Sequence, residues 1–348
     1  MKTQTIIFLW VLLLSNIFAQ STPKDTITLI AVGDIMQGTN FPNASYLPPA
    51  GRNLLEPLQA ITRNADVTFG NSEGTFLDRG GIAKTCDDST RCYAFRQPTI
   101  FADYLADAGF DLMSLANNHS GDFGDKGRTS TMYNLSRVGI YHAGYASWPD
   151  TIFTKNGVRY GFCAFSPNKG TMSIHNIAEA QNIVRNLAAK VDIVIVSMHG
   201  GAEGDSADHV TRETEWFLGE NRGNVYQFAH AMIDAGADVI FGSGPHVTRA
   251  IELYNDRLIA YSLGNFCTYA RFNMKDKGNH GPLLKIEVDK NGRFLAGQVI
   301  GIKQPGSGGP VLDPTGRAIN EMRKLSLEDF PESPLVIDRI GRILRKKS

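Results

Sequence analysis

The chain has 348 residues, 42% of them hydrophobic, which is ample for a sizeable core and sits at the upper edge of what one domain carries. Its 35 basic residues balance 35 acidic ones, and no basic patch or long charge run stands out, so nucleic acid is not an expected partner. The basic run Arg342 to Lys347 reads as a short solvated tail.

At the N-terminus, Lys2 precedes an apolar run from Ile6 to Leu14, and Ser15-Asn16-Ile17-Phe18-Ala19 follows. That run falls short of the roughly 20 apolar residues that span a bilayer. A positive end, a short apolar core and a small-residue exit describe a cleavable secretory signal over residues 1–19, with an uncleaved anchor as the alternative. The protein is therefore expected to be exported: periplasmic, extracellular or membrane-associated. No cysteine follows the run, so lipid attachment there has no acceptor.

Further along, Thr26 to Val32 is an apolar, β-branched run that delivers Gly33-Asp34 at its end. Leu54 to Ile61 has helical periodicity, and Asp66 to Gly70 is a short strand ending at Asn71-Ser72-Glu73. A polar excursion over residues 78–97 carries Cys86 and Cys92, which an oxidising compartment would let pair. Cys163 and Cys267 lie in apolar runs and read as buried thiols. Pro98 opens a helix that Gly109 stops. Asp111 to Ala116 is a third strand, handing over to Asn117-Asn118-His119, and a helix spans Gly127 to Val138. Asn156-Gly157 between two β-rich runs signals a hairpin.

A helix over Ala178 to Lys190 precedes Val191 to Met198, an almost pure Val/Ile run expected as a central strand. It ends at His199-Gly200-Gly201. Thr211 to Ala235 reads as a long helix that Gly219 and Gly223 could break. Asp238 to Phe241 is a strand leading to Gly244-Pro245-His246. Hairpins are expected around Asn255-Asp256 and Asn291-Gly292. Beyond Pro305 the periodicity is weak, so residues 303–348 are expected as an extension over the surface of a single domain spanning 26–302. Strands alternate with helices early and hairpins dominate late, which suggests an α/β fold with two packed mixed sheets flanked by helices.

Five strand ends terminate in polar groups: Asp34, Asn71 with Glu73, Asn117-Asn118-His119, His199 and His246. Ligands of open α/β sheets bind outside the carboxyl ends of strands. Carboxylate and amide oxygens suit Mg or Mn, while imidazole suits Zn, Mn or Fe, so this pattern points to a divalent metal site. His142, His175, His209, His230 and His280 are read as structural or exposed.

Specific motifs sharpen the picture. Gly33-Asp34-Ile35-Met36 resembles the opening motif of the CapA-type capsule (poly-γ-glutamate) synthesis family, a branch of the calcineurin-like metallophosphoesterase fold. Ser114 to Gly124, with Asn117-Asn118-His119 at its heart, is similar to that family's most specific stretch. His199-Gly200-Gly201-Ala202-Glu203, Asp234 to Val239, Gly244 to Val247 and Tyr261 to Phe266 resemble its later motifs, in the right order. The resemblance implies a four-layer αββα sandwich and a role in making, exporting or processing poly-γ-glutamate or another capsule polymer. Its partners would be that anionic polymer or its membrane carrier, and a membrane biosynthetic complex. A metal-dependent phosphoesterase or amide hydrolase of the envelope, or a non-catalytic binding subunit, are the alternatives.

By the phosphoesterase pattern, Asp34 and His246 would bind a first metal, and Glu73 or Asn71 would stand at the bridging position. Asn118 and His199 would bind a second metal, His119 would be the acid near the leaving group, and Asp122 and Glu203 would hold His119 and its neighbours. Met36 and Ser243-Gly244 stand where that pattern carries further histidines, so one ion (Mn, Fe, Zn or Mg), or a pocket that binds an anionic polymer without metal, fits the remaining ligands better than two ions.

Overall fold

The computed structural model describes residues 25–86, 92–272, 274–306 and 309–346. The segment read as an export signal lies outside them. The chain opens the first sheet with β1 (Thr26–Met36), β2 (Val67–Ser72), β3 (Leu112–Ser114) and β4 (Tyr141–Ala143), parallel neighbours in that order. It then builds the second sheet from β5 (Asp150–Lys155), β6 (Val158–Phe165), β7 (Ile193–His199), β8 (Val239–Ser243), β9 (Ile251–Tyr254) and β10 (Arg257–Ala260). Their spatial order is β9-β10-β8-β7-β6-β5, with antiparallel hairpins at both edges of a parallel centre. The chain returns to the first sheet with β11 (Asn265–Thr268), parallel to the end of β1, and β12 (His280–Asp289), antiparallel to its start. Completing that sheet are β13 (Phe294–Lys303), β14 (Val311–Leu312), β15 (Leu335–Ile337) and β16 (Arg342–Arg345).

Alternation along β1 sends Ile27, Leu29 and Ala31 into the core between the sheets, and Ile30 and Val32 to the opposite face. In β7, Ile193 and Ile195 point inward while Val194 and Val196 meet the outer helices. Because both faces of these strands are covered, their sequences read as unbroken apolar runs. Phe69 of β2 stacks on Phe241 of β8 at 5.2 Å, locking one sheet to the other.

Helices α1 (Ile100–Asp107) and α2 (Gly124–Arg137) cover the first sheet; α3 (Ile177–Ala188) and α4 (Val225–Asp234) cover the second. The result is the expected αββα sandwich. No helix among the described residues is long and apolar enough to cross a membrane.

Two stretches differ from expectation. The supposed long helix over Thr211 to Ala235 is a ribbon, Glu215–Phe217 against Glu220–Gly223, followed by α4. Leu218 and Gly219 take φ of 48° and 82° at its turn, where a helix cannot run. Asn224 then caps α4 by accepting from the Gln227 amide. The stretch after Lys303 is more than a cover. It forms α5 (Arg317–Asp329), and β15 and β16 extend the first sheet, burying Met322, Ile337 and Ile343 in the core between the sheets.

Candidate metal centre and cleft

Sheet register assembles the site. On one sheet Asp34 lies opposite Asn71 on one side and opposite Asn265 on the other. On the second sheet Ser243 lies opposite His199. Close approach of β1 to the chain entering β11 depends on Gly33, because a Cβ there would sit 1.8 Å from the Gly264 carbonyl oxygen. That contact lets the Asp34 amide donate to Gly264 at 2.9 Å and fixes the acid at the strand's end.

Asp34 is fully buried. Its Oδ1 accepts from Asn71 Nδ2 at 2.8 Å, and its Oδ2 lies 3.0 Å from His246 Nδ1. His246 also reaches Asn265 Oδ1 at 3.1 Å and Glu73 Oε1 at 3.6 Å through its two ring nitrogens. One ligand atom each from Asp34, Glu73 and His246 falls within a 4.8 Å cluster. His246 adopts φ of 60°, a left-handed backbone unusual for a non-glycine residue and one that concentrates at functional sites. Glu73 is buried, yet neither of its carboxylate oxygens has a hydrogen-bond partner. Leaving such a group bare costs free energy that a bound cation offsets. Two carboxylates and an imidazole are a donor set for Mn, Fe, Zn or Mg, so the residues fit one divalent ion.

Electrostatics agree with that geometry. Burial raises the Glu73 carboxyl well above the ordinary range, and the Asp34 charge pushes it further the same way. At His246 burial works against the charged form, but Glu73 and Asp34 outweigh it and hold the imidazole at about 10.

Next to this trio sits His199, fully buried, with Nδ1 3.1 Å from Ser243 Oγ. Burial, reinforced by Arg222 and His246, keeps it well below the usual histidine range and hence neutral. Asn71 Nδ2 also lies 3.4 Å from that Nδ1, whereas Nε2 makes no hydrogen bond, and neither does the buried Oδ1 of Asn118. Asn71, expected as a possible ligand, is instead occupied in positioning: its oxygen accepts from Asn117 at 3.1 Å while its nitrogen serves Asp34. Met36 is buried with its sulfur against the Gly38 amide at 3.2 Å.

His119 stacks on Phe95 at 4.0 Å, with Nδ1 2.8 Å from Asp122 Oδ2. Burial lowers its pKa, with Asp122 opposing the shift. Asp122, fully buried, also accepts from the Phe95 amide at 2.6 Å and pairs with Lys84 at 2.7 Å. Glu203 was expected to support His119, but its partner is the buried Arg222 at 3.0 Å, and Arg222 in turn donates to the Gly201 carbonyl. Glu203 therefore braces the loop after β7.

A cleft of about 1000 Å³ opens over these groups, lined among others by Asn118, His119, Glu203, His246 and the expected disulfide loop at Cys86. Cys86 and Cys92 are bonded, and Cys163 and Cys267 are buried free thiols. Residues not singled out from sequence also contribute: Lys84, Arg222 and Asn265. Asn265 lay inside a motif already noted, Gly264-Asn265-Phe266, and was the most discoverable of them. His209 and His230, set aside as structural or exposed, pair with Asp329 and Glu252, and neither lines the cleft.

Comparison with known proteins places these residues in a family. Residues 28–270 match the family described as "Bacterial capsule synthesis protein PGA_cap". A "Capsule biosynthesis protein CapA" of Bacillus anthracis is 27% identical over 265 residues, covering 70% of this chain and 60% of the relative. A "PGA biosynthesis protein CapA" of Bacillus subtilis is 29% identical over 260 residues, covering 70% of this chain and 66% of the relative. The chain thus spans less than two-thirds of the length of these relatives. Among solved structures, a 5'-nucleotidase precursor from Thermus thermophilus aligns with a TM-score of 0.43 and 14% identity, over 82% of this chain and 54% of that one. That likeness is too loose to bear on chemistry. The match across residues 28–270, which contains Asp34, Glu73, Asn118, His119, His199 and His246, is decisive: the chain belongs to the bacterial capsule synthesis PGA_cap family.

Proposed function

We propose that this chain is an exported protein that handles an anionic capsule polymer of the poly-γ-glutamate kind, and that it does so at a single divalent cation held by Asp34, Glu73 and His246. The observation that carries this reading is the buried Glu73, with neither oxygen hydrogen-bonded, beside Asp34 and His246. Membership of the capsule-synthesis family and the names of the Bacillus relatives support the polymer assignment. A cation bound there would polarise a carbonyl or phosphoryl oxygen and acidify a water. Around it, Asn71 and Asn265 hold the ligand side chains, and Asp122 fixes the His119 ring at the edge of the cleft.

That last feature favours a second reading, in which the protein is a hydrolase of the polymer or of its phosphate-linked carrier. A histidine backed by a buried carboxylate at 2.8 Å is placed to exchange a proton with a reacting group in the cleft. His199 and Asn118 would add further ligands, since His199 Nε2 and Asn118 Oδ1 have no hydrogen-bond partner.

The test is genetic and chemical together. A deletion strain should lose surface anionic polymer, wild-type protein should restore it, and Glu73→Gln should not. Unchanged polymer and carrier pools in the deletion strain would contradict the assignment. Release of free ends from a γ-linked glutamate chain by the purified protein would select the hydrolase reading.

A further inference from the structure

We propose that Arg271 is the oxyanion-recognition residue of the cleft, binding a carboxylate or phosphate of the polyanionic substrate beside the Asp34-Glu73-His246 trio. The inference deepens the polymer-handling function and rests on it.

Besides His246, three cationic side chains line the cleft: Lys84, Arg222 and Arg271. Two are already answered. Lys84 pairs with Asp122 at 2.7 Å, and Arg222 with Glu203 at 3.0 Å. Among the described residues no carboxylate pairs with Arg271. Its guanidinium instead lies 4.7 Å from the ring centre of Tyr46 and 4.7 Å from that of Tyr93, and its Nε is buried with no acceptor. Ring contacts of this kind use the flat face of a guanidinium and leave its in-plane N–H groups free, in the fork geometry that matches a carboxylate or phosphate. An unanswered buried donor is costly unless a ligand oxygen reaches it.

Placement is controlled on three sides. Tyr46 comes from the loop after β1. Tyr93 directly follows Cys92, whose bond to Cys86 ties down that wall. Phe272, the next residue, stacks on Phe95 at 5.2 Å and meets His246 edge-on at 5.3 Å. Phe95 in turn stacks on His119. Through Phe272, its neighbour in the chain, Arg271 is thus placed next to a set of rings that reaches His119 and His246. A side chain already pinned by two rings loses little freedom on binding, which suits it to recognition.

Binding of the full-length protein to a short γ-linked glutamate oligomer, measured by calorimetry, tests the proposal. Sodium polyphosphate serves as a second anion and a γ-linked glutamine oligomer as the neutral control. Arg271→Gln should weaken anion binding about tenfold or more, the size of one charge-assisted hydrogen bond, measured at a temperature where the variant is folded. Arg271→Lys, which keeps charge but not the fork, should fall between, and it carries the comparison should the glutamine variant fold poorly. Anion binding by both variants at wild-type strength overturns the proposal, as does a wild-type protein that binds neither anion. Arg271-dependent binding of polyphosphate without any binding of the glutamate oligomer upholds the oxyanion site and removes the glutamyl polymer as its ligand.

Discussion

His246 Nδ1 lies 3.0 Å from Asp34 Oδ2, although 212 residues separate the two in the chain. Such a contact exists because β1 and the loop after β8 end at the same rim of the sandwich, on different sheets. The pair also makes the site proton-sensitive. His246 is held at about 10 by Glu73 and Asp34 against the effect of burial, and Glu73 is raised well above its ordinary value. At neutral pH the trio therefore retains a proton that a cation must displace. Metal binding should release about one proton, and affinity should rise about tenfold per pH unit between pH 6 and 8. Calorimetry in buffers of different ionisation enthalpy reads the released proton; an affinity independent of pH contradicts it.

Asp122 gathers three donors, His119, Lys84 and the Phe95 amide, while fully buried. Removing it strands His119 Nδ1 and the Phe95 amide and leaves Lys84 with the Asn118 carbonyl. Asp122→Ala should cost about 3 kcal/mol of stability, whereas Asp122→Asn should cost less by keeping one acceptor for Phe95. Urea unfolding of the two variants measures the difference, and equal stability of Asp122→Ala and wild type would refute the role.

Arg249 and Glu215 form a buried bidentate pair at 2.9 and 2.7 Å, and Arg249 also donates to the carbonyls of Ala207 and Ala202. This bond ties the ribbon to the loop that carries Glu203. Arg249→Leu leaves a buried carboxylate unpaired and should cost about 3–5 kcal/mol, while adding Glu215→Leu should recover part of the loss. A double variant no more stable than the single one counts against the pair as the tether.

Much of the fold was legible because local chemistry and topology agree. The Val/Ile run before His199 could only be a strand covered on both faces. Asn156 and Gly157 take φ of 53° and 80°, and Asn255 and Asp256 take 48° and 64°, the left-handed turns that their residue types announce. Asp34, Glu73 and His246 were legible as strand-end groups, and the register of the two sheets brings them together. What could not be read was set by non-local partners. The ribbon at Glu215–Gly223 looks helical until Arg249 is placed beside it. Likewise β15 and β16 have a home only once β13 offers an edge. Glu203 was legible as a polar group near the site, but its partner Arg222 lies on a ribbon that the periodicity had assigned to a helix.

Phe69 and Phe241 join the sheets beneath the site. Phe69→Ala should cost about 3–5 kcal/mol by opening a cavity in the core between the sheets, and it should loosen metal retention, because Asn71 stands two residues further along β2. Denaturant titration checks the first effect and metal retention on dialysis the second. A variant as stable as wild type would show that the sheets are held elsewhere.

The central claim is a cation on Asp34, Glu73 and His246, and elemental analysis of protein purified without chelator tests it most directly. About one divalent transition-metal or magnesium ion per chain is expected in the wild type, falling to background in Glu73→Gln and His246→Ala. A wild-type preparation at background, or variants that retain the full complement, would contradict it.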